Sequence, residues 1–163
     1  MVGQKRSVAL KGFTLIELLL VVMVIAILAA LVFTRIFIAR QRANESNVRG
    51  NLRELRRAVK MFEADMGAYP VELDDVCTVT PPEQGLVSQG DSVATIALTA
   101  DQKKNFKGPY YEYPSHTLPV NLLTHGNAEG TDWIYEKGTP ADLGWVKNGT
   151  PGNDSTGVPY SEW

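Results

Sequence analysis

Cysteine is nearly absent from these 163 residues: Cys77 stands alone, which excludes an intramolecular disulfide and any cysteine-rich zinc site. Proline does not occur before Pro70, so no residue ahead of it forces a helix to stop. Arginine is missing after Arg57, and Tyr and Trp are missing before Tyr69. The net charge of -2 makes no general case for a nucleic-acid partner. No internal repeat is visible. With 44% hydrophobic and 21% charged residues, disorder, collagen and a multispan membrane protein are excluded. The length allows one ordinary domain plus an appendage.

What is present is sharply partitioned. Lys5, Arg6 and Lys11 make a basic leader. Residues 18–33 are sixteen apolar residues without a break, and 13–33 are interrupted only by Thr14 and Glu17. Residues 35–67 carry eight basic and four acidic groups, whereas 68–163 carry five Lys against thirteen Asp or Glu. A basic leader, an apolar span, a basic stem and an acidic head suggest a membrane-anchored chain whose parts meet different partners. As a helix the span is roughly 30 Å long, enough to cross a bilayer. A cleaved secretory signal is the rival reading. Its apolar region runs about 7–15 residues and ends at small residues. This span is longer and continues into Thr34-Arg35-Ile36-Phe37 with no such ending. Basic residues flank both sides, so charge counting alone does not orient the chain.

Glu17 is the anomaly of the span. A carboxylate in hydrocarbon costs on the order of 2–3 kcal/mol or more, so it needs a reason to be there. One reason is local: a first-turn anion is favoured by the helix dipole. The other is a partner cation. A chain cut before Phe13 would carry a new amine four residues away, protonated at neutral pH, able to pair within the chain or with a neighbouring one.

Lys11-Gly12-Phe13-Thr14-Leu15-Ile16-Glu17-Leu18-Leu19-Leu20 and the apolar run after it resemble the class III signal of type IV pilins and type II secretion pseudopilins. The resemblance implies that a prepilin peptidase cuts between Gly12 and Phe13 from the cytoplasmic side. It implies N-methylation of Phe13 and a role for Glu17 in filament assembly. Residues 1–12 are then a leader peptide, 13–34 the membrane-spanning and filament-core helix, 35–67 an amphipathic stem, and 68–163 a periplasmic head. A glycine before the cut suits a protease cleft, since it adds no side chain beside the backbone.

In the stem, Val48, Leu52, Leu55, Val59, Phe62 and Met66 recur at helical spacing and predict one buried stripe. Gly67 is placed as a C-cap, and Pro70 forbids continuation. Asp65-Met66-Gly67-Ala68-Tyr69-Pro70 also resembles pseudopilins, whose helix often ends in a Gly-x-Tyr-Pro turn. Arg49, Arg53, Arg56 and Lys60 run one residue out of step with the stripe. The plain reading is a solvated face. A nucleic-acid groove is disfavoured, because no aromatic residue is interleaved with the four charges. The functional reading is packing against the acidic head of an adjacent subunit, where charge sets register and partner choice.

The head reads as small and loop-rich. Residues 71–77 suggest a short helical turn, and 93–100 are ambiguous between helix and strand. Residues 133–137 and 144–147 read as strands, and Asn148-Gly149 as a turn. The expected class is α+β, a long N-terminal helix packed on a small antiparallel sheet, as the resemblance also implies.

Catalytic chemistry is not indicated. His116 and His125 with Cys77 fit no usual zinc spacing. No Ser-His-Asp set, phosphate loop or carboxylate pair stands out, so neither an enzyme nor a resident cofactor is expected. Cys77 reads as a packed thiol. Asp142, Asn153, Asp154 and Ser155 are hard oxygen donors near the C-terminal end. Major pseudopilins bind calcium in a C-terminal loop, so calcium is weighed there against an ordinary polar turn.

The branch of the family is read from smaller features. There is no cysteine pair to close a C-terminal loop, unlike many type IV pilins. Glu83-Gln84-Gly85-Leu86 and Gly108-Pro109-Tyr110 look like major pseudopilins. Thr34 stands where major subunits usually have Pro, and their Asp-Pro-Trp-Gly stretch is missing. The first expectation is a subunit of a type II secretion pseudopilus that self-associates into a helical filament. Other pseudopilins, an inner-membrane platform and an assembly ATPase are its further partners. A type IV pilus subunit for adhesion, motility or DNA uptake is the alternative, and a plain membrane-anchored binding module comes third.

Overall fold

A computed structural model describes residues 12–112 and 116–163. Residues 1–11, which hold most of the expected leader, and 113–115, in the Pro-rich turn after Tyr110, lie outside the described residues. The chain divides into two units, Met1–Arg40 and Gln41–Trp163.

Helix α1, Leu15–Met66, is 52 residues long. It ends where the glycine and proline signals placed the stop. Gly67 takes φ +66°, a left-handed conformation that costs glycine nothing, and its amide donates to the Glu63 carbonyl at 2.8 Å. Between residues 18 and 33, α1 is apolar on all sides and its large side chains are exposed, from Phe33 at 73% to Val24 at 48%. A helix hydrophobic all round is made for apolar surroundings. This segment is long and apolar enough to cross a membrane.

The second unit contains the remainder of α1 and the head. The expected stripe is the centre of its core: Val48, Leu52, Leu55, Val59, Phe62 and Met66 are all 0–1% exposed. Phe62 meets Phe106 and Tyr110 edge-on, with ring centroids 6.4 and 5.6 Å apart, a geometry that aromatic quadrupoles favour. Trp133 is fully buried and donates its indole N–H to the Pro119 carbonyl at 2.8 Å. Burying six stripe side chains at about 1.5–3 kcal/mol each is the main term holding the head on its helix.

The head begins with a 3-10 turn, Leu73–Cys77, where the helical turn was expected. Strand β1, Gln84–Gln89, pairs antiparallel with β2, Ser92–Ala97, in the register Gln84 opposite Ala97 and Gln89 opposite Ser92. A short helix α2, Ala100–Lys104, follows. Strands β3, Trp133–Tyr135, and β4, Val146–Asn148, form a second antiparallel pair. The class is therefore α+β, as expected, but the described residues form two separate two-stranded sheets instead of one. The ambiguous stretch 93–100 divides at Thr99. Residues before it are strand, and Thr99 caps α2 by a reciprocal exchange with Gln102. Asn148 closes β4 instead of opening a free turn, because the Gly149 amide donates back to the Asp132 carbonyl at 3.0 Å.

Candidate functional site

Gly12, Phe13 and Thr14 precede α1 and belong to no helix or strand. Gly12 is exposed, and a Cβ built on it would meet nothing within 4 Å. Phe13 is 78% exposed. The peptide bond joining them is thus open to an approaching enzyme.

Glu17 lies in the first turn of α1, and its carboxylate is engaged locally. It accepts from the Thr14 amide at 2.9 Å and from the Thr14 hydroxyl at 2.8 Å. The Thr14 hydroxyl in turn accepts from the Glu17 amide at 3.3 Å. This is a reciprocal cap, which satisfies backbone donors that a helix start otherwise leaves empty. Thr14 was not singled out from sequence, although Thr14-x-x-Glu17 is the spacing of such a cap. In the uncut chain the Phe13 nitrogen is an amide. Cutting at Gly12 would turn it into an ammonium one residue from the amide that Glu17 already holds. The carboxylate itself is held on Thr14, the residue that follows Phe13.

Two of the four residues on the basic edge of the stem have partners within the chain. Arg49 pairs with the Asp154 carboxylate and lies over the Trp163 ring, its guanidinium carbon 4.0 Å from the centroid. Arg56 donates to the Val146 carbonyl at 2.8 Å and to the Trp163 carbonyl, and stacks on Trp145 at 4.2 Å. These two arginines fasten the chain's own C-terminal segment. Arg53 and Lys60 remain exposed. Aromatic residues do accompany the charges, but Trp145 and Trp163 stand 89 and 114 positions after Arg56 and Arg49, which a helical periodicity cannot reveal. A cleft of about 180 Å³ lies between Arg49, Leu52, Arg53, Arg56 and Trp163.

One turn before Arg49, the buried Glu45 joins the same fastening. Its carboxylate accepts from the Ser155 amide at 2.9 Å, the Ser155 hydroxyl at 2.7 Å, the Tyr160 hydroxyl at 3.2 Å and Gln41 Nε2 at 3.0 Å. Burial alone would push the Glu45 carboxyl up, but these bonds from Ser155, Gln41 and Tyr160 outweigh it and hold it below its ordinary value. Asp154 is held down to about 2, first by the Thr156 hydroxyl, then by the Val158 and Thr156 amides and the charge of Arg49, against the opposing effect of burial.

The remaining candidates stay apart. Cys77 is buried in the core, and burial, with Asp74 nearby, pushes its thiol up to about 12, which leaves it inert. The His125 amide donates to the Asn121 carbonyl within its own turn. Among the described residues no group of three or more His, Cys, Asp or Glu side chains could hold a metal ion.

Residues 11–33 match the prokaryotic N-terminal methylation motif. The chain is 44% identical over 59 residues to the type IV wide pilus major component PilA4 of Thermus thermophilus, covering 36% of this chain and 45% of that one. It is 37% identical over 59 residues to the type II secretion system core protein G of Pseudomonas aeruginosa, covering 36% of this chain and 42% of that one. Each match thus spans less than half the length of the curated relative. No solved structure matches the chain. The resemblance read from Gly12, Phe13, Glu17 and the apolar run is borne out, with relatives on both the pilin and the pseudopilin side.

Proposed function

We propose that this chain is a structural, non-enzymatic subunit of a type II secretion pseudopilus. A prepilin peptidase cuts between Gly12 and Phe13, the new Phe13 amine is methylated, and the mature subunit enters a helical filament that helps export folded proteins. Its leader stays cytoplasmic, its apolar helix waits in the inner membrane, and its head lies in the periplasm. The observation that carries this reading is a single apolar helix, exposed on every side, that opens on one carboxylate behind an accessible Gly12–Phe13 bond.

The physics of that helix dictates the route. About twenty apolar side chains at roughly 1.5–3 kcal/mol each could not pass through water. The subunit must move from lipid directly into a filament whose centre is built from the same helices, where the apolar term is nearly neutral. Glu17 then pairs with the Phe13 ammonium of a neighbour, since either charge alone would be costly there. Work to extract the helix has to come from outside the subunit, which is the place of an assembly ATPase, a membrane platform and companion pseudopilins.

A type IV pilus subunit is the second reading, and the 44% identity to a wide-pilus component supports it. The two part in the culture-supernatant proteome of a strain deleted for this gene, compared with its complemented parent. Loss of several exoproteins from the supernatant, with their accumulation in the periplasm, is the outcome expected of a pseudopilin. A supernatant unchanged except for this protein would overturn that assignment and favour a surface pilus.

A further inference from the structure

Calcium in a C-terminal loop is what a resemblance to major pseudopilins implies, and the donors offered by sequence are Asp142, Asn153, Asp154 and Ser155. Calcium takes six to eight oxygen ligands with free lone pairs, at about 2.3–2.6 Å. The residues present do not fit it. One oxygen of Asp154 faces the Arg49 guanidinium. The other accepts from the Thr156 amide at 2.8 Å, the Thr156 hydroxyl at 2.7 Å and the Val158 amide at 3.0 Å. A carboxylate offers about four lone-pair sites, and Asp154 has four donors on it. Glu45, the other carboxylate holding this loop, has four donors as well. Asp142 accepts from the Thr139 hydroxyl at 3.3 Å in an exposed turn, and Asn153 is bound into a backbone bridge with Pro159. Asp154, the carboxylate at the centre of this loop, is already met by four donors, one of them a guanidinium cation, so a second cation there would have to displace Arg49.

We infer that Arg49 is an internal counter-ion serving in the place of a metal: it pins the loop around Asp154 to α1, and so makes the fold of the head indifferent to divalent cations. Helical spacing makes this possible. Glu45 and Arg49 are four residues apart on one face of α1, so the two charges meet the same loop, one through Ser155 and Tyr160 and the other through Asp154. Trp163 lies against the guanidinium, 4.0 Å from its carbon, and the Asp154 carboxylate is buried, so the pair has one face packed while Arg49 stays partly in water. Both fastenings are made by side chains of α1 itself.

The test uses the full-length protein in detergent, with thermal unfolding followed by tryptophan fluorescence. Wild-type Tm is expected to be the same in EDTA, in excess calcium chloride and after exhaustive metal removal, and titration calorimetry with calcium chloride is expected to show no saturable heat. A wild-type Tm that falls in EDTA and returns with calcium overturns the inference, whatever the fate of any variant. Arg49→Met and Asp154→Asn should each lower Tm by several degrees, and the double variant by no more than the larger single loss. Summed losses in the double variant would show that the two do not act as a pair, and would overturn it as well. Arg49→Lys should recover part of the lost Tm, because it restores the charge without the planar fork.

Discussion

Glu17 caps α1, and in the proposed filament it also pairs with an ammonium; the two duties can be separated by one atom. As a cap it needs only an oxygen that accepts from Thr14; as a partner for an ammonium it needs the charge. Glu17→Gln keeps the acceptor, since Gln serves at this position of a capping box, and it removes the charge. Glu17→Ala removes both. Cleavage at Gly12–Phe13 is expected in both variants, because the bond lies outside the helix. Filament yield, measured by shearing and immunoblot, should be lost in both if pairing is the essential duty. A Gln variant that assembles like the wild type would reduce Glu17 to a cap. Thr14→Val supplies the converse, loss of the cap with the charge kept, and should cost about 0.5–2 kcal/mol of local helix stability while still assembling. The residues that make this test possible, Thr14 included, could all be found from sequence by spacing. Arg49 could not. Its partner stands 105 positions away, and the sequence offered only a basic stripe whose simplest explanation was water.

At the scale of elements, legibility follows periodicity. The stripe from Val48 to Met66 was readable because one face of a long helix repeats six times, and each repeat is independent support for the same face. Its end was readable because Gly67 and Pro70 each obey a backbone rule. Strand β1 escaped because Gln84–Gln89 offers only Leu86 and Val87 to the core. Yet Gly90-Asp91 between the strands is a two-residue hairpin signal, with Gly90 at φ +60°. The single expected sheet is two pairs, β1 with β2 and the three-residue strands β3 and β4 with each other. Two glycines show how differently the elements constrain the same residue. Gly50 lies inside α1 with open space where a Cβ would go. Gly50→Ala is therefore expected to stabilise the protein by about 0.5–1 kcal/mol, through entropy removed from the unfolded chain. At Gly149 a Cβ would stand 1.9 Å from the Thr131 carbonyl oxygen, beside the amide that ties β4 to Asp132. Gly149→Ala should unfold the β3–β4 pair or lower Tm well beyond the several degrees that about 1 kcal/mol produces. Denaturation curves of the two variants, read against the wild type, should move in opposite directions.

For the whole molecule, charge is arranged so that the head is more stable near neutrality than in acid, and the sign can be worked through. Asp154 is held down to about 2 and Glu45 is also held below its ordinary value. A carboxyl whose folded pKa is depressed adds stability above its unfolded pKa, near 4, and loses it as pH falls toward the folded value. Asp74 and Asp75 act the other way. Burial first, then the nearby carboxylates, Glu129 and Glu72 among them, raise both. A raised carboxyl costs the fold stability at neutral pH, and that cost is relieved as acid protonates it. Mild acidification should thus leave stability level or slightly higher while Asp74 and Asp75 take up protons. Below about pH 4 the fall should begin; the Asp154 contribution should be lost most steeply between there and its folded value of about 2, levelling off below it, and Glu45 adds to the same fall. Urea midpoints measured at closely spaced pH values from neutrality to pH 2 would trace this shape. Asp154→Asn should flatten the acid limb, because the residue that loses its charge there would have none to lose. Asp74→Asn should raise the neutral plateau and leave the acid limb in place. If Asp154→Asn instead kept the full acid limb, the fastening of the C-terminal segment would have to rest on Glu45 alone, and Arg49 would be a surface charge stacked on a tryptophan.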